Sequence, residues 1–202
     1  MRAVLFDLDG VLIDSYEAWF HVVNDAAREL DRPAVSRATF ASIFGQGIAA
    51  DLKTMYPGRE RAEVEAAYVR AMARQAGTIR VNAEAVALLT ELSSRGVRRA
   101  CVTNTQVGLA RTILQAAGLL ARFDAVEGVR LGVREKPAPD LLLAALEATQ
   151  AHADEALMVG DSRYDEEGAA AANVPFLRYE MVSGASLQAA VIGALARRAG
   201  AE

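Results

Sequence analysis

The run Phe6-Asp7-Leu8-Asp9-Gly10-Val11 sets two carboxylates two positions apart, directly after the apolar stretch Ala3-Val4-Leu5-Phe6. Acids so placed suit a nucleophile beside a proton donor. Two anions this close repel, which raises one pKa, so the pair must share a proton or hold a cation. Mg2+ would supply that charge through hard oxygen ligands. Taken alone, the word Asp-Leu-Asp-Gly reads equally well as an acidic turn closing a strand.

Three further groups occupy comparable places. Thr103 and Asn104 follow Ala100-Cys101-Val102, Lys136 opens KPAPD, and the string GDSRYDEEGA from Gly160 follows the apolar run Ala156–Val159. Each polar group follows a predicted strand or begins a predicted helix. Asp161 and Asp165 stand four residues apart, which puts both on one face if the helix starts that early. An all-oxygen set favours Mg2+ over zinc. Asp165 is a ligand or a close supporting group, and its other reading is favourable charge at a helix N-terminus, worth about 0.3–1 kcal/mol. Glu166 and Glu167 take that second role, and Ser162 reads as a helix cap.

The elements that must position these groups alternate. Continuous apolar runs predict buried strands at Ala3–Phe6, Val97–Val102, Asp124–Val126, Ala156–Val159 and Phe176–Tyr179. Between them, helical periodicity covers Ala83–Arg95, Gly108–Ala117, Pro139–Thr149 and Tyr164–Ala172, so a doubly wound parallel α/β sheet follows. The carboxyl ends of such strands open onto the ligand crevice, where Asp7, Asp9, Thr103 and Asp161 all fall. From about residue 15 to 80 the pattern is helical throughout. Apolar positions repeat along Glu17–Leu30, Thr39–Phe44, Ile48–Tyr56 and Arg59–Gln75, interrupted by Gly45, Gly47 and Pro57-Gly58. The chain therefore divides into a core of residues 1–14 and 82–202 and an inserted α-helical domain of residues 15–81.

Composition narrows the function classes. A net charge of −4 and a pI near 5.4 lack the basic footprint that nucleic acid or an anionic membrane requires. No apolar run reaches membrane-spanning length, and Met1-Arg2 lead straight into the first strand without a secretory segment, so the expected location is cytoplasmic. The single cysteine, Cys101, sits in an apolar strand as a structural thiol. His21 reads as a polar residue on a helix surface, His152 as part of a polar connection, and Trp19 as core of the inserted domain.

The ordered set DLDG, Thr103-Asn104, KPAPD and VGDSRYDEEGA resembles the haloacid dehalogenase-like superfamily, in particular its phosphatases with a small helical cap, such as phosphoglycolate phosphatase. The resemblance spans nearly the whole chain. It implies a Rossmannoid core, a cap that closes over the active site with hinges near Ser15-Tyr16 and Thr78–Asn82, and hydrolysis of a small phosphorylated metabolite through an aspartyl-phosphate. By that resemblance Asp7 is the nucleophile, and Asp9 protonates the leaving oxygen and then deprotonates the attacking water. Mg2+ is held by Asp7, the Asp9 backbone carbonyl, Asp161 and Asp165. A phosphoryl group in transit needs donors and cations around its oxygens, and Thr103, Asn104 and Lys136 fit that need as phosphate-binding groups.

The cap of such an enzyme would choose the substrate. The Gly45-Gln46-Gly47-Ile48 segment is either the substrate-selecting loop or a simple interhelical turn, and Lys53 is either a nearby cationic contact or a solvated residue. A sugar-phosphate mutase of the β-phosphoglucomutase type is similar through DLDGV, but its relatives carry a basic group where this chain has Ile48. A noncatalytic phosphate-binding protein is the alternative from another class. Two departures stand out: IRVNAEAVALL replaces the proline-glycine turn common after the cap, and Glu135 rather than glycine precedes Lys136.

Overall fold

The computed structural model describes residues 1–199, so the last three residues of the expected core segment 82–202 lie outside the described residues. Five parallel strands make the main sheet: β1 (Ala3–Phe6), β4 (Arg98–Gln106), β5 (Ala125–Val129), β6 (Ala156–Gly160) and β7 (Phe176–Arg178), in the order β5-β4-β1-β6-β7. The first strand is central because every residue of its Ala-Val-Leu-Phe run is buried, and β6 is buried along its whole length beside it. At about 1.5–3 kcal/mol for each large apolar side chain taken from water, Leu5 and Phe6 fix that placement. The edge strand β7 has no fully buried residue.

Chain order then creates a switch point. From β1 the core runs to β4 and β5 on one side and then crosses to β6 and β7 on the other. Ligands bind at the carboxyl ends of strands where the order reverses, and there Asp7 directly follows β1. The helices between these strands are α5 (Ala85–Ser94), α6 (Val107–Ala116), α7 (Asp140–Thr149) and α8 (Arg163–Ala171), and a further helix, α9 (Leu187–Ala199), follows β7. Glu84 accepts hydrogen bonds from the Ser186 hydroxyl and the Gln188 amide, so a side chain just ahead of α5 satisfies orphan donors of α9.

Two compact units are distinguishable: Met1–Asp14 with Val81 onward, and Ser15–Arg80. Short strands β2 (Ile13–Asp14) and β3 (Arg80–Val81) stand in the chain just before and just after the second segment. The second unit holds α1 (Tyr16–Glu29), α2 (Arg37–Ile43), α3 (Ile48–Thr54) and α4 (Arg61–Gln75). The α1 stripe of Ala18, Val22, Val23, Ala26 and Ala27 is buried, as is the α4 stripe of Val64, Ala67, Tyr68, Ala71 and Met72, and these two helices pack together. Trp19 packs edge-on to Tyr68 at 5.8 Å.

Two expectations change in the structure. The strand expected to stop at Val102 continues to Gln106, so Thr103 and Asn104 lie within β4 rather than after it. Helix α8 begins at Arg163, with Ser162 as its cap, so Asp161 precedes the helix and does not share a helical face with Asp165. The cause is local: the Ser162 hydroxyl accepts from the Asp165 amide while the Asp165 carboxylate accepts from the Ser162 amide, which terminates the helix there.

Candidate active site

The loop after β1 is a tight turn. The Asp7 amide donates to the Val159 carbonyl at 2.9 Å, Gly10 N–H to Ile13 at 2.8 Å, and the Leu12 and Ile13 amides to Leu8. Asn82 holds the same turn, its backbone amide donating to the Leu12 carbonyl and its side chain to the Val11 carbonyl. Asp7 therefore leaves the end of the central strand on a braced backbone, and it is buried, with 7% of its surface exposed.

Lys136 meets it from far along the chain. Its Nζ donates to Asp7 Oδ1 at 2.9 Å, to Asp165 Oδ1 at 2.6 Å and to the Val102 carbonyl at 2.7 Å. All three ammonium protons are used, and lysine, acid and acid are alike buried. Asp165 Oδ2 is occupied as well, accepting from the Ser162 amide at 3.0 Å and hydroxyl at 2.6 Å. Asn104 grips the lysine's own backbone, donating to the Lys136 carbonyl at 3.0 Å and accepting from its amide at 2.8 Å.

Carboxylate oxygens of Asp7, Asp161 and Asp165 lie within 4.8 Å of one another. Two glycines make that approach possible. A Cβ on Gly10, whose φ is +80°, would stand 1.9 Å from Asp161 Oδ2, and one on Gly160 would stand 2.4 Å from the Asp165 Cβ. Burial, then Asp165, pushes the Asp7 carboxyl well above its usual range, against the pull of Lys136. Asp161 is pushed up to about 7 by burial, Asp165 and Asp9. For Lys136 burial opposes the charge, but Asp165 and Asp7 outweigh it and hold the ammonium above the ordinary lysine value. One lysine among these acids leaves negative charge in a desolvated place. Crowded, raised carboxylates with an all-oxygen donor set fit a hard divalent cation such as Mg2+.

Asp9 is half-buried, and its side chain is not part of that cluster; Thr105 Oγ1 donates to its Oδ2 at 3.3 Å. Sequence reasoning passed over Thr105. β4 is irregular between Val102 and Gln106, and there Thr103 and Thr105 are buried while Asn104 is half-buried, an arrangement with no local sequence signature. Thr103 is buried, and its Oγ1 accepts from the Thr105 amide at 3.1 Å. Gly10 and Gly160 were likewise passed over as parts of the site, because a close approach made by a missing Cβ has no local sequence signature. Glu135 is half-buried, and its carbonyl accepts from the Ala138 amide.

Within the helical unit, Gly45 and Gly47 both have positive φ, 85° and 84°. Between them Gln46 Nε2 donates to Asp51 Oδ1 at 2.6 Å, and Tyr68 donates to Asp51 Oδ2 at 2.8 Å. Burial raises the Asp51 carboxyl to about 6 although both donors pull it down. Ile48 is buried, while Lys53 and His21 are exposed. His152 caps a short turn, its amide donating to Glu155. Cys101 is fully buried, and burial raises its thiol well above the usual value, as suits a structural residue. Among the described residues no helix is long and apolar enough to cross a membrane.

Known proteins are similar to this chain in sequence and in fold. Residues 4–179 match the family profile of haloacid dehalogenase-like hydrolases. The phosphoglycolate phosphatase of Rhodospirillum rubrum is 34% identical over 186 residues, covering 86% of this chain and 77% of that protein. Among solved structures, a hydrolase of the same superfamily from Geobacter sulfurreducens superposes with a TM-score of 0.65 at 28% identity, over 89% of both chains. CbbY from Rhodobacter sphaeroides, solved with phosphate, superposes with a TM-score of 0.78 at 21% identity, covering 89% of this chain and 86% of that one, a likeness of fold.

Proposed function

This chain belongs to the haloacid dehalogenase-like hydrolase family, and from that premise we propose that it is a Mg2+-dependent phosphatase of a small phosphorylated metabolite, phosphoglycolate being the first candidate. The observation that carries the reading is the buried Lys136 ammonium bridging Asp7 and Asp165, beside Asp161, at the end of the central strand. A lone surface acid turn would need no such neutralisation.

In this reading Asp7 attacks phosphorus through the carboxylate oxygen that Lys136 leaves uncovered. As the phosphorus–oxygen bond of the ester breaks, Asp9 gives its proton to the departing alkoxide. Asp9 then takes a proton from water, whose oxygen attacks the aspartyl-phosphate and releases inorganic phosphate with Asp7 restored. Thr105 orients the Asp9 carboxylate for both steps. Thr103 and the strand-end amides supply donors for the phosphoryl oxygens, and Lys136 offsets the charge of nucleophile and phosphate together. Asn104 acts through Lys136, whose backbone it clamps. Asp7, the Asp9 carbonyl and Asp161 would hold Mg2+, with Asp165 a further ligand or a close supporting group whose oxygens also accept from Lys136 and Ser162. When bound, the ion supplies Lewis-acid stabilisation of the transferring phosphoryl group.

Phosphoglycolate enters from the R. rubrum relative, which carries that activity in its name. The helical segment 15–81, with its Gly45–Ile48 turn, is assigned the choice of leaving group. The test is phosphate release from a panel of small phosphorylated metabolites, with Mg2+ or chelator, comparing wild type and Asp7→Asn. Mg2+-dependent release that disappears in the variant supports the proposal. Equal release from Asp7→Asn overturns it, and release from no compound moves the reading to a mutase or a phosphate binder.

A further inference from the structure

Asp161 lies between β6 and α8, in neither element, yet its carboxylate must stand against Gly10. The direction of that side chain follows from the orientation of the peptide joining Asp161 to Ser162. This peptide is held at both ends by charged side chains. From inside, the buried Asp165 carboxylate accepts its N–H at 3.0 Å. From outside, Arg178 at the end of β7 donates through NH1 to its C=O, the Asp161 carbonyl, at 2.6 Å. The guanidinium is fixed in turn, donating through NH2 to Glu166 of α8 at 2.5 Å and lying 5.6 Å from the Phe176 ring centre. Strand pairing sets the distance: Gly160 and Arg178 are register partners, and the Tyr179 amide donates to the Gly160 carbonyl at 2.9 Å.

We propose that Arg178 is a positioning residue for the metal site: it locks the Asp161–Ser162 peptide from the solvent side and so aims the Asp161 carboxylate at the cation. This rests on the reading of Asp161 as a Mg2+ ligand. The competing account, a surface ion pair with Glu166, is reasonable for two side chains exposed to 43% and 58%, since such pairs contribute little. The two accounts make opposite demands on Mg2+. A positive charge near the site repels a cation, so removing Arg178 tightens Mg2+ binding if charge alone matters. If the arginine aims a ligand, its loss weakens binding, about tenfold for a supporting hydrogen bond of this kind.

The experiment is calorimetric titration of metal-free protein with Mg2+, for wild type, Arg178→Ala, Arg178→Gln and Asp161→Asn, with thermal unfolding of each in chelator. Expected are weaker Mg2+ binding by about tenfold in Arg178→Ala, substantial recovery in Arg178→Gln, whose neutral amide keeps a donor, and unfolding temperatures close to wild type for both. Unchanged or tighter Mg2+ binding in Arg178→Ala overturns the proposal, as does a glutamine variant no better than alanine. Asp161→Asn tests the parent reading separately. If that variant binds Mg2+ like wild type, or wild type binds none, the metal reading falls and the role of Arg178 falls with it.

Discussion

Replacing Gly10 by alanine should disable the metal site without altering any acid. The added Cβ would lie 1.9 Å from Asp161 Oδ2 and 2.6 Å from its Cγ. The carboxylate must retreat by about 1 Å, a displacement that costs on the order of 100-fold where reacting geometry is tight, or about 2.7 kcal/mol. Separately, φ of +80° at this position strains an L-residue by about 1–2 kcal/mol, which lowers Tm by about 2–4 °C per kcal/mol in a chain this long. Gly118 separates the two effects, because it has φ of +70° and open space where a Cβ would go. Gly118→Ala should lose similar stability and keep its Mg2+ dependence. Gly10→Ala should need far more Mg2+ for half-maximal phosphate release, and calorimetry should show the weakened binding directly. Mg2+ affinity within twofold of wild type in Gly10→Ala would refute the collision argument.

Three further perturbations probe other parts of the site and the helical unit. Lys136→Met leaves Asp7 and Asp165 buried without their shared cation, a loss of about 3–5 kcal/mol; Mg2+ should restore part of it, and an equal loss of Tm with and without Mg2+ would contradict that electrostatic account. Thr105→Val removes the hydroxyl that orients Asp9, so kcat should fall roughly five- to tenfold, the value of one hydrogen bond, with Tm nearly unchanged; a wild-type kcat would remove Thr105 from the mechanism. Asp51→Asn tests the buried acid of the helical unit. A carboxyl raised to about 6 stabilises the fold while protonated and loses that contribution as pH rises through about 6, so the asparagine variant should gain on wild type by about 2–3 kcal/mol between about pH 4 and pH 7. Urea unfolding at both ends of that range measures it, and a pH-independent difference would show that Asp51 does not titrate as its burial requires.

The chain by itself determined the architecture and the chemical inventory. Ala3–Phe6 and Ala156–Val159 are apolar without interruption, which suits only strands covered on both faces, and the helical periods between strands require parallel crossovers. Asp7, Asp9 and Asp161 were legible because charged residues just after such strands have little structural reason to be there, and Lys136 and Asp165 because they stand in the words KPAPD and GDSRYDEEGA. Convergence belonged to the tertiary structure. Lys136 reaches Asp7 across 129 residues of sequence, and nothing local announces that its three protons are divided between two acids and a carbonyl. The spacing of Asp161 and Asp165 suggested one helical face, but a reciprocal cap at Ser162 starts the helix later and brings the carboxylates together by another route. Thr105 joined Asp9 only because β4 runs past Val102, and Asn104 meets the Lys136 backbone where the register of that strand shifts, between Val102 and Gln106. Gly10 contributes by what it lacks. A sequence specifies strongly the contacts its own periodicity repeats, whereas the place where a distant carboxylate needs empty space is decided by packing between strands far apart in the chain.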